Sequence, residues 1–363
     1  MRALLVLTAC LLLGACSLVH RTHRVRETGG ASALPQLAAH EVAETFIGEA
    51  QPAHDLDSLA SWLAEDGKTW VIATASKSDQ LVVFDGDSGK RLRTVGASGD
   101  GPGQFRHPKG ITAFADLLFV VERDNHRVQV LQLPDFKPLG SFGSEQLRNP
   151  YAIWLHETAP DEYEVLVTDN DADGKKIPPL AQLGERVKRY HVRTDGGVVH
   201  ADYSGAFGDT SAAGALRSAG AIAGDDDNGR LAIAEELGKV GSRLRVYDLQ
   251  GHYAGKDVGA DQYHAQAKGI ALYSCADGNG NWIGADRYEK QRTAFLVFDR
   301  KTLSYLGAFA GKSVAATDGI VLQPASTKQF PDGALYVING GSTIAAFDWS
   351  GIAQALELSH DCR

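Results

Sequence analysis

The chain holds little cysteine, a single methionine and, past its first twenty residues, no long hydrophobic run: 4 Cys and 1 Met stand among 363 residues. So few thiols exclude a disulfide-dense scaffold. No later apolar stretch reaches the roughly 20 residues that cross a bilayer as a helix. No window of 12 or more residues keeps a clean 3.6-residue period, which excludes long amphipathic helices and coiled coils. An excess of positive charge is also missing: Lys+Arg number 36 against 45 Asp+Glu, a formal charge of −9. Duplex nucleic acid, which demands a basic face, is therefore not an expected partner. There is no Gly-x-Ser-x-Gly elbow, His-Glu-x-x-His, phosphate-binding P-loop or Cys-x-x-Cys. Elbow-type serine hydrolases, zincins, P-loop enzymes and thioredoxin-like chemistry lose their support. What remains is 44% hydrophobic with 40 glycines, a composition for a folded, turn-rich domain and not for disorder.

The first residues read as a delivery signal. Arg2 supplies a positive start and Ala3–Leu13 an apolar stretch, so residues 1–15 are expected to be a signal peptide. Leu13-Gly14-Ala15-Cys16 resembles a bacterial lipobox, in which the thiol of Cys16 receives a lipid. Ser17 after it points to the outer membrane of a bacterial envelope, with membrane contact only through the anchor. Residues 16–45 are expected to be a lipidated cysteine and flexible tether, and residues 46–363 the folded domain. Cys275 and Cys362 are then left as an even pair in an oxidising compartment. A disulfide between them is one reading and two unpaired thiols the other.

From about Phe46 the chain alternates apolar and polar residues in short runs broken by Gly, Asp and Asn. Trp70–Thr74, Leu81–Phe84, Leu117–Val121, Arg127–Leu131 and Leu231–Ala234 are such strand signals. They recur in a fixed order. Gly110-Ile111, Ala152-Ile153, Ala221-Ile222, Gly269-Ile270 and Gly319-Ile320 each open a unit, and Ser58-Leu59-Ala60 opens an earlier one. Third strands follow as Val83-Phe84-Asp85, Val130-Leu131, Arg189-Tyr190, Val246-Tyr247-Asp248, Val297-Phe298-Asp299 and Ala346-Phe347-Asp348. Units of this size with four strands each predict an all-β, six-bladed β-propeller. Thr45–Glu49 is placed as the strand that completes the last blade.

Two resemblances attach to these units. Gly99-Asp100-Gly101-Pro102-Gly103-Gln104-Phe105, His107-Pro108-Lys109-Gly110-Ile111 and Val120–Val130 together resemble an NHL repeat, covering one blade. Nearly the whole domain resembles the β-propeller phytases. Asp57-Ser58-Leu59-Ala60-Ser61-Trp62 is similar to that family's acidic opening, and Ala223–Glu236 to its Ala-Asp-Asp-Glu-x-Gly-x-Leu-Tyr-Ile-Ala-Glu-Glu segment. Gly269-Ile270-Ala271-Leu272-Tyr273 and Thr317-Asp318-Gly319-Ile320 are similar to two further strands.

The phytase resemblance implies calcium-dependent hydrolysis of phosphomonoesters, on inositol phosphates or similar phosphorylated small molecules. It implies Ca²⁺ held by Asp55, Asp57, Glu235, Glu236 and Asp318. It implies phosphate binding by Lys77 and Arg123, and a catalytic set of Glu236, Asp318 and Tyr151. Calcium suits such a set because it takes six to eight oxygens, which only several blades together supply. The chain also departs from the family. Ala219 and Lys268 stand where the pattern has a glutamate before the glycine, and Asp169 or Asn170 where it has a lysine. Lys268 would repel a cation and suits an anionic ligand instead. Two rival functions stay open: a non-catalytic, NHL-like propeller binding a ligand or protein at the envelope, and a lactonase-like propeller with one central metal. Asp169-Asn170-Asp171-Ala172-Asp173-Gly174 starts like a calcium loop, but Leu180 stands where an EF-hand needs glutamate. An acidic turn is the plainer reading. His107 and His126 read as blade-to-blade hydrogen bonds or ligands, and Asp286-Arg287 as a rim of the ring or a solvated run.

Overall fold

The computed structural model describes residues 38–170 and 177–358. The expected signal peptide, Cys16, most of the tether, residues 171–176 of the acidic segment and Cys362 lie outside these. Cys275 is disulfide-bonded, and as the sole cysteine among the described residues it has its partner outside them.

Strand alternation delivers what the pattern asks for: an all-β, six-bladed propeller. Blade one is Leu56–Leu63, Thr69–Ala75, Gln80–Asp85 and Arg91–Val95. Blades two to five open with Pro108–Phe114, Asn149–Ala159, Ala219–Asp225 and Gln266–Ser274, each followed by three antiparallel neighbours. Blade six takes Ile320–Gln323, Ala334–Asn339 and Thr343–Asp348 from the end of the chain and Phe46–Ile47 from its start. That pairing, Phe46 with Ala346 and Ile47 with Ala345, closes the ring. Just before it, His40–Glu41 lies parallel to the outer strand of blade five, with Val42 buried. The tether expected to run to residue 45 therefore gives way to ordered strand by His40. Glu44 secures this strap by accepting the amides of Lys312, Ser313 and Val314.

Burial explains the composition of each strand. Second strands are covered on both faces, so they read as apolar runs; Leu118, Phe119, Val120 and Val121 are all 0% exposed. Outer strands face water and turn polar, as in Arg91–Val95. The core consists of clusters between neighbouring blades, such as Phe119, Val121 and Val130 of blade two against Ile153, Val165 and Tyr190 of blade three. One helix, Trp349–Ala355, had no sequence signal; Asp348 caps it by accepting the Ser350 amide, and Trp349 and Ile352 are buried beneath it. Among the described residues no helix is long and apolar enough to cross a membrane.

A polar group marks the end of the second strand in blades two to six, and in blades two to five it is buried. Glu122 accepts the Arg106 amide, Asp169 those of Arg148 and Asn149, Glu235 those of Arg217, Ser218 and Leu237, and Asp286 those of His264 and Ala265. Asn339 does the same for Ala315 in blade six. These groups hold the loop that enters the first strand, a buried donor set that would otherwise cost about 1–3 kcal/mol per unpaired amide.

Candidate functional site: a charged ring at one mouth of the shaft

The first strands of the six blades surround a central shaft. In blades one to five the first strand carries a bulge near its start, between Leu56 and Leu59, Pro108 and Ile111, Pro150 and Ile153, Ala219 and Ile222, and Ala267 and Ile270. The extra residue leaves the ladder there, and a bulge re-aims its side chain. The equivalent position is Asp57, Lys109, Tyr151, Gly220 and Lys268, and Asp318 precedes the first strand of blade six. One polar residue per blade is thus delivered to the mouth, except at Gly220.

Glycine at that slot has a reason. A Cβ on Gly220 would lie 2.3 Å from an oxygen of Glu236, whose side chain folds back over it. Glu236 fills the position that blade four leaves empty. The register also corrects the sequence alignment: Ala219 pairs with Glu235 and corresponds to Ala267, so the counterpart of Lys268 is Gly220. The next residue in each blade is small: Ser58, Gly110, Ala152, Ala221, Gly269 and Gly319. Neighbouring backbones need this, since a Cβ on Gly319 would meet Asp57 O at 2.6 Å and one on Gly110 would meet the Ala152 Cα at 2.8 Å. Thr74 and Thr168 bridge blades at the same level. Each hydroxyl accepts an amide of its own blade and donates to the next, at Lys109 O and Gly220 O. One step deeper come Leu59, Ile111, Ile153, Ile222, Ile270 and Ile320, each between 5% and 8% exposed. Asp57, Tyr151, Glu236, Lys268 and Asp318, the small residues and the aliphatic girdle line a cavity of about 270 Å³, with Lys109 and Arg287 outside that lining.

The ring groups pair with one another. Lys109 Nζ donates to Asp57 at 2.5 Å. Lys268 Nζ donates to Glu236 Oε2 at 2.6 Å and reaches Tyr151 Oη at 3.4 Å, with Asp318 at 3.7 Å. Arg287 Nε stands 3.3 Å from Asp318. The Tyr151 ring lies between two ammonium groups, 5.6 Å from Lys109 and 5.7 Å from Lys268. Three carboxylates thus meet three cations and the mouth is electrically balanced.

Burial and neighbours set the protonation of these groups. Burial pushes Glu236 above the ordinary carboxylate range; Lys268 opposes this, and Asp318 and Asp57 add to it. Burial also raises Asp318, again against Lys268 and with Asp57. For Lys268 burial acts downward, but Glu236, Tyr151 and Asp318 outweigh it and hold the ammonium firmly charged. Tyr151 is driven well above its ordinary value by burial and by Glu236.

Of the residues singled out from the sequence, the structure gathers Asp57, Tyr151, Glu236 and Asp318 at one cavity with Lys268. It leaves Asp55, Glu235, Lys77 and Arg123 off its lining. Asp55 sits in a turn at positive φ, its carbonyl taken by Ser76. Glu235 is a loop-holding carboxylate. Lys77 is exposed on the turn after Thr69–Ala75. Arg123 pairs with Asp124 and contacts His107 Nδ1 at 3.1 Å. Asp169, first residue of the calcium-loop candidate, is committed to backbone amides. Lys109 was passed over as a ring partner, whereas Arg287, one of the residues read as rim or solvated run, stands beside Asp318. The signal for Lys109 was its place before Gly110-Ile111, the same place that Lys268 holds before Gly269-Ile270. Among the described residues no three His, Cys, Asp or Glu side chains come together to hold a metal ion.

A second cavity of about 590 Å³ opens at the other end of the same blade-one strand, lined by Trp62, Trp70, Leu92 and Pro134. Its aromatic groups are engaged within the chain: Trp62 Nε1 donates to Asp116, and Arg93 stacks on Trp70 and Phe136.

No family model matches the chain, and no curated protein matches it. Solved propellers resemble it at low identity. Hydrazine synthase of Kuenenia stuttgartiensis shares 13% identity over 80% of this chain and 82% of its own, with a TM-score of 0.46. A nidogen/laminin complex shares 13% over 74% and 85%, with a TM-score of 0.48. The Cps50 (Swd1) β-propeller domain of Myceliophteria thermophila shares 11% over 84% and 99%, with a TM-score of 0.46. Likeness this distant speaks to architecture alone, and the chain stands as a six-bladed β-propeller whose distinguishing feature is its own charged ring.

Proposed function

We propose that the chain is a non-catalytic propeller that binds a small polar ligand at the charged mouth of its shaft. One observation carries the reading: Lys268 Nζ sits within 2.6 Å of Glu236 and 3.7 Å of Asp318, in the midst of the carboxylates. Calcium needs oxygens converging on an empty centre. Here each carboxylate of the mouth already faces a cation of the chain, so these residues do not fit a calcium cluster. The balanced charge also suits a ligand that is neutral overall better than a polyphosphate, which calls for a surplus of cations. With the lipobox-like segment at its start, such a receptor would work at a bacterial cell envelope.

The convergence of Asp57, Tyr151, Glu236 and Asp318 on one cavity favours a second reading, phytase-like phosphomonoester hydrolysis. Phosphate release from phytate, with millimolar Ca²⁺ and with chelator, separates the two. The expected result is no calcium-dependent release and no rise in melting temperature with Ca²⁺, since a fold without calcium sites gains nothing by mass action. Calcium-dependent release that disappears in Asp318→Asn overturns the proposal.

A further inference from the structure

The mouth is balanced in charge but not in hydrogen bonds. Glu236 Oε1 accepts no hydrogen bond and is shut away against Gly220, while Oε2 is bound to Lys268. The Asp318 carboxylate accepts none from any described residue; its two cations stand off at 3.7 and 3.3 Å. These carboxylates flank Lys268, and Asp57 adds a further negative charge beside Asp318. On the other side, Lys109 spends one of its three protons on Asp57, and the Tyr151 hydroxyl proton has no acceptor among the described residues. The Asp318 and Lys109 side chains keep 23% and 14% of their exposure, so a ligand entering the mouth can reach them. A ligand that completes the remaining groups donates at Asp318 and accepts at Lys109 and Tyr151. Below it the cavity wall becomes small and then aliphatic.

We infer that the mouth takes a small zwitterion bearing an aliphatic side chain, of the α-amino acid class. Its ammonium sits against Asp318. Its carboxylate meets the ammonium of Lys109 and the hydroxyl of Tyr151. Its side chain points down the shaft toward the aliphatic girdle. A zwitterion adds no net charge to a ring that has none to spare, whereas a lone anion must compete with three carboxylates and a lone cation with three cations. This inference rests on the reading of the mouth as a binding site.

Calorimetric titration with four probes tests it: L-leucine, leucinamide as its cationic analogue, 4-methylpentanoate as its anionic analogue, and inorganic phosphate. Leucine is expected to bind, and each analogue to bind more weakly by about tenfold or more, the share of one charge-assisted hydrogen bond. Asp318→Asn is expected to weaken leucine by a similar factor. The comparison among probes on the unaltered protein needs no variant, so a folding defect cannot hide the answer. Phosphate or 4-methylpentanoate binding as tightly as leucine overturns the inference, as does an absence of leucine binding by the folded protein. The phytate assay keeps the failures apart. Calcium-dependent phosphate release removes the binding-site reading itself; no release together with no leucine binding removes only the ligand class.

Discussion

Glu235 and Glu236 are adjacent in sequence and opposite in use. Glu235 is 0% exposed, and its oxygens accept the amides of Arg217, Ser218 and Leu237. Glu236 turns over Gly220, holds Lys268 with one oxygen and leaves the other without a donor. Burial raises the protonation of both carboxyls. Burial alone therefore does not tell a functional carboxylate from a structural one. The identity of the partner does: backbone amides fix a loop and cannot be displaced, whereas a side-chain ammonium can be shared with an incoming ligand.

The same substitution at both positions should break the symmetry most visibly. Glu235→Gln puts an NH₂ group against amides that need an acceptor, so a loss of about 2–3 kcal/mol in unfolding free energy is expected. Glu236→Gln can still offer Lys268 an oxygen, so its cost should stay below about 1 kcal/mol while ligand binding falls. Urea titrations of the two variants check this. Equal destabilisation would erase the distinction between loop carboxylate and mouth carboxylate.

A third charged group sharpens it from the other end of blade three. His156 stacks on Trp154 and bonds Asp226 of blade four at 2.7 Å, with Glu164 at 3.6 Å. Hydrogen bonds to Asp226 and Glu164, against burial, lift it from 6.5 to about 9. A folded pKa above the unfolded one gives stability that is full below about pH 6.5 and is lost as pH rises through about 9. Asp226 is half exposed, so solvent screening should trim the effect to about 1–2 kcal/mol. Melting temperatures from pH 6 to 10 should fall across that window, and His156→Gln should flatten the fall. A profile that His156→Gln leaves unchanged would mean that this pair, though close, does not fasten blade three to blade four.

The fold was legible because strand burial writes itself into the sequence. Second strands buried on both faces leave apolar runs, and the close approach of first strands leaves the Gly-Ile and Ala-Ile pairs. The mouth was legible only in part. Asp57, Tyr151, Lys268 and Asp318 stand beside those small residues and could be found from them, and Glu236 came from the resemblance of its Glu-Glu pair. Lys109 stood in the same place but its cationic role did not follow from a family pattern of carboxylates. Glu235 was taken for a ligand because a pair of acids does not reveal that one step along the strand turns a side chain from mouth to loop. The Ala219 alignment slipped by one residue because a bulge adds a residue without any residue type to announce it. Arg287 was open as a rim residue, but its pairing with Asp318 needed the three-dimensional proximity of blades five and six. The ordered His40–Glu41 strand is too short to carry a pattern at all.

The smallest change expected in stability carries a sharp test of the ring. Gly220 has extended backbone, not the left-handed conformation, so alanine is tolerated by its dihedral angles. The new methyl would collide with the Glu236 side chain and with no backbone atom among its nearest neighbours, the contacts being 2.3 Å to an oxygen and 2.6 Å to Cγ. A flexible side chain can yield where a neighbouring strand cannot, so Gly220→Ala should shift unfolding by no more than about 1 kcal/mol. Its effect belongs instead to the mouth. Glu236 is pushed off its slot, Lys268 keeps only Asp318 and Tyr151, and the balanced ring becomes positive on that side. Leucine affinity should drop, and 4-methylpentanoate should gain relative to leucine, because the carboxylate that opposed an anion has moved away. The same reversal should appear in Glu236→Gln, which removes the charge without moving the side chain. Agreement between a variant that displaces the carboxylate and one that neutralises it would tie the discrimination to Glu236 itself; a reversal in neither would leave Asp57 and Asp318 as the groups that set the sign of the ligand.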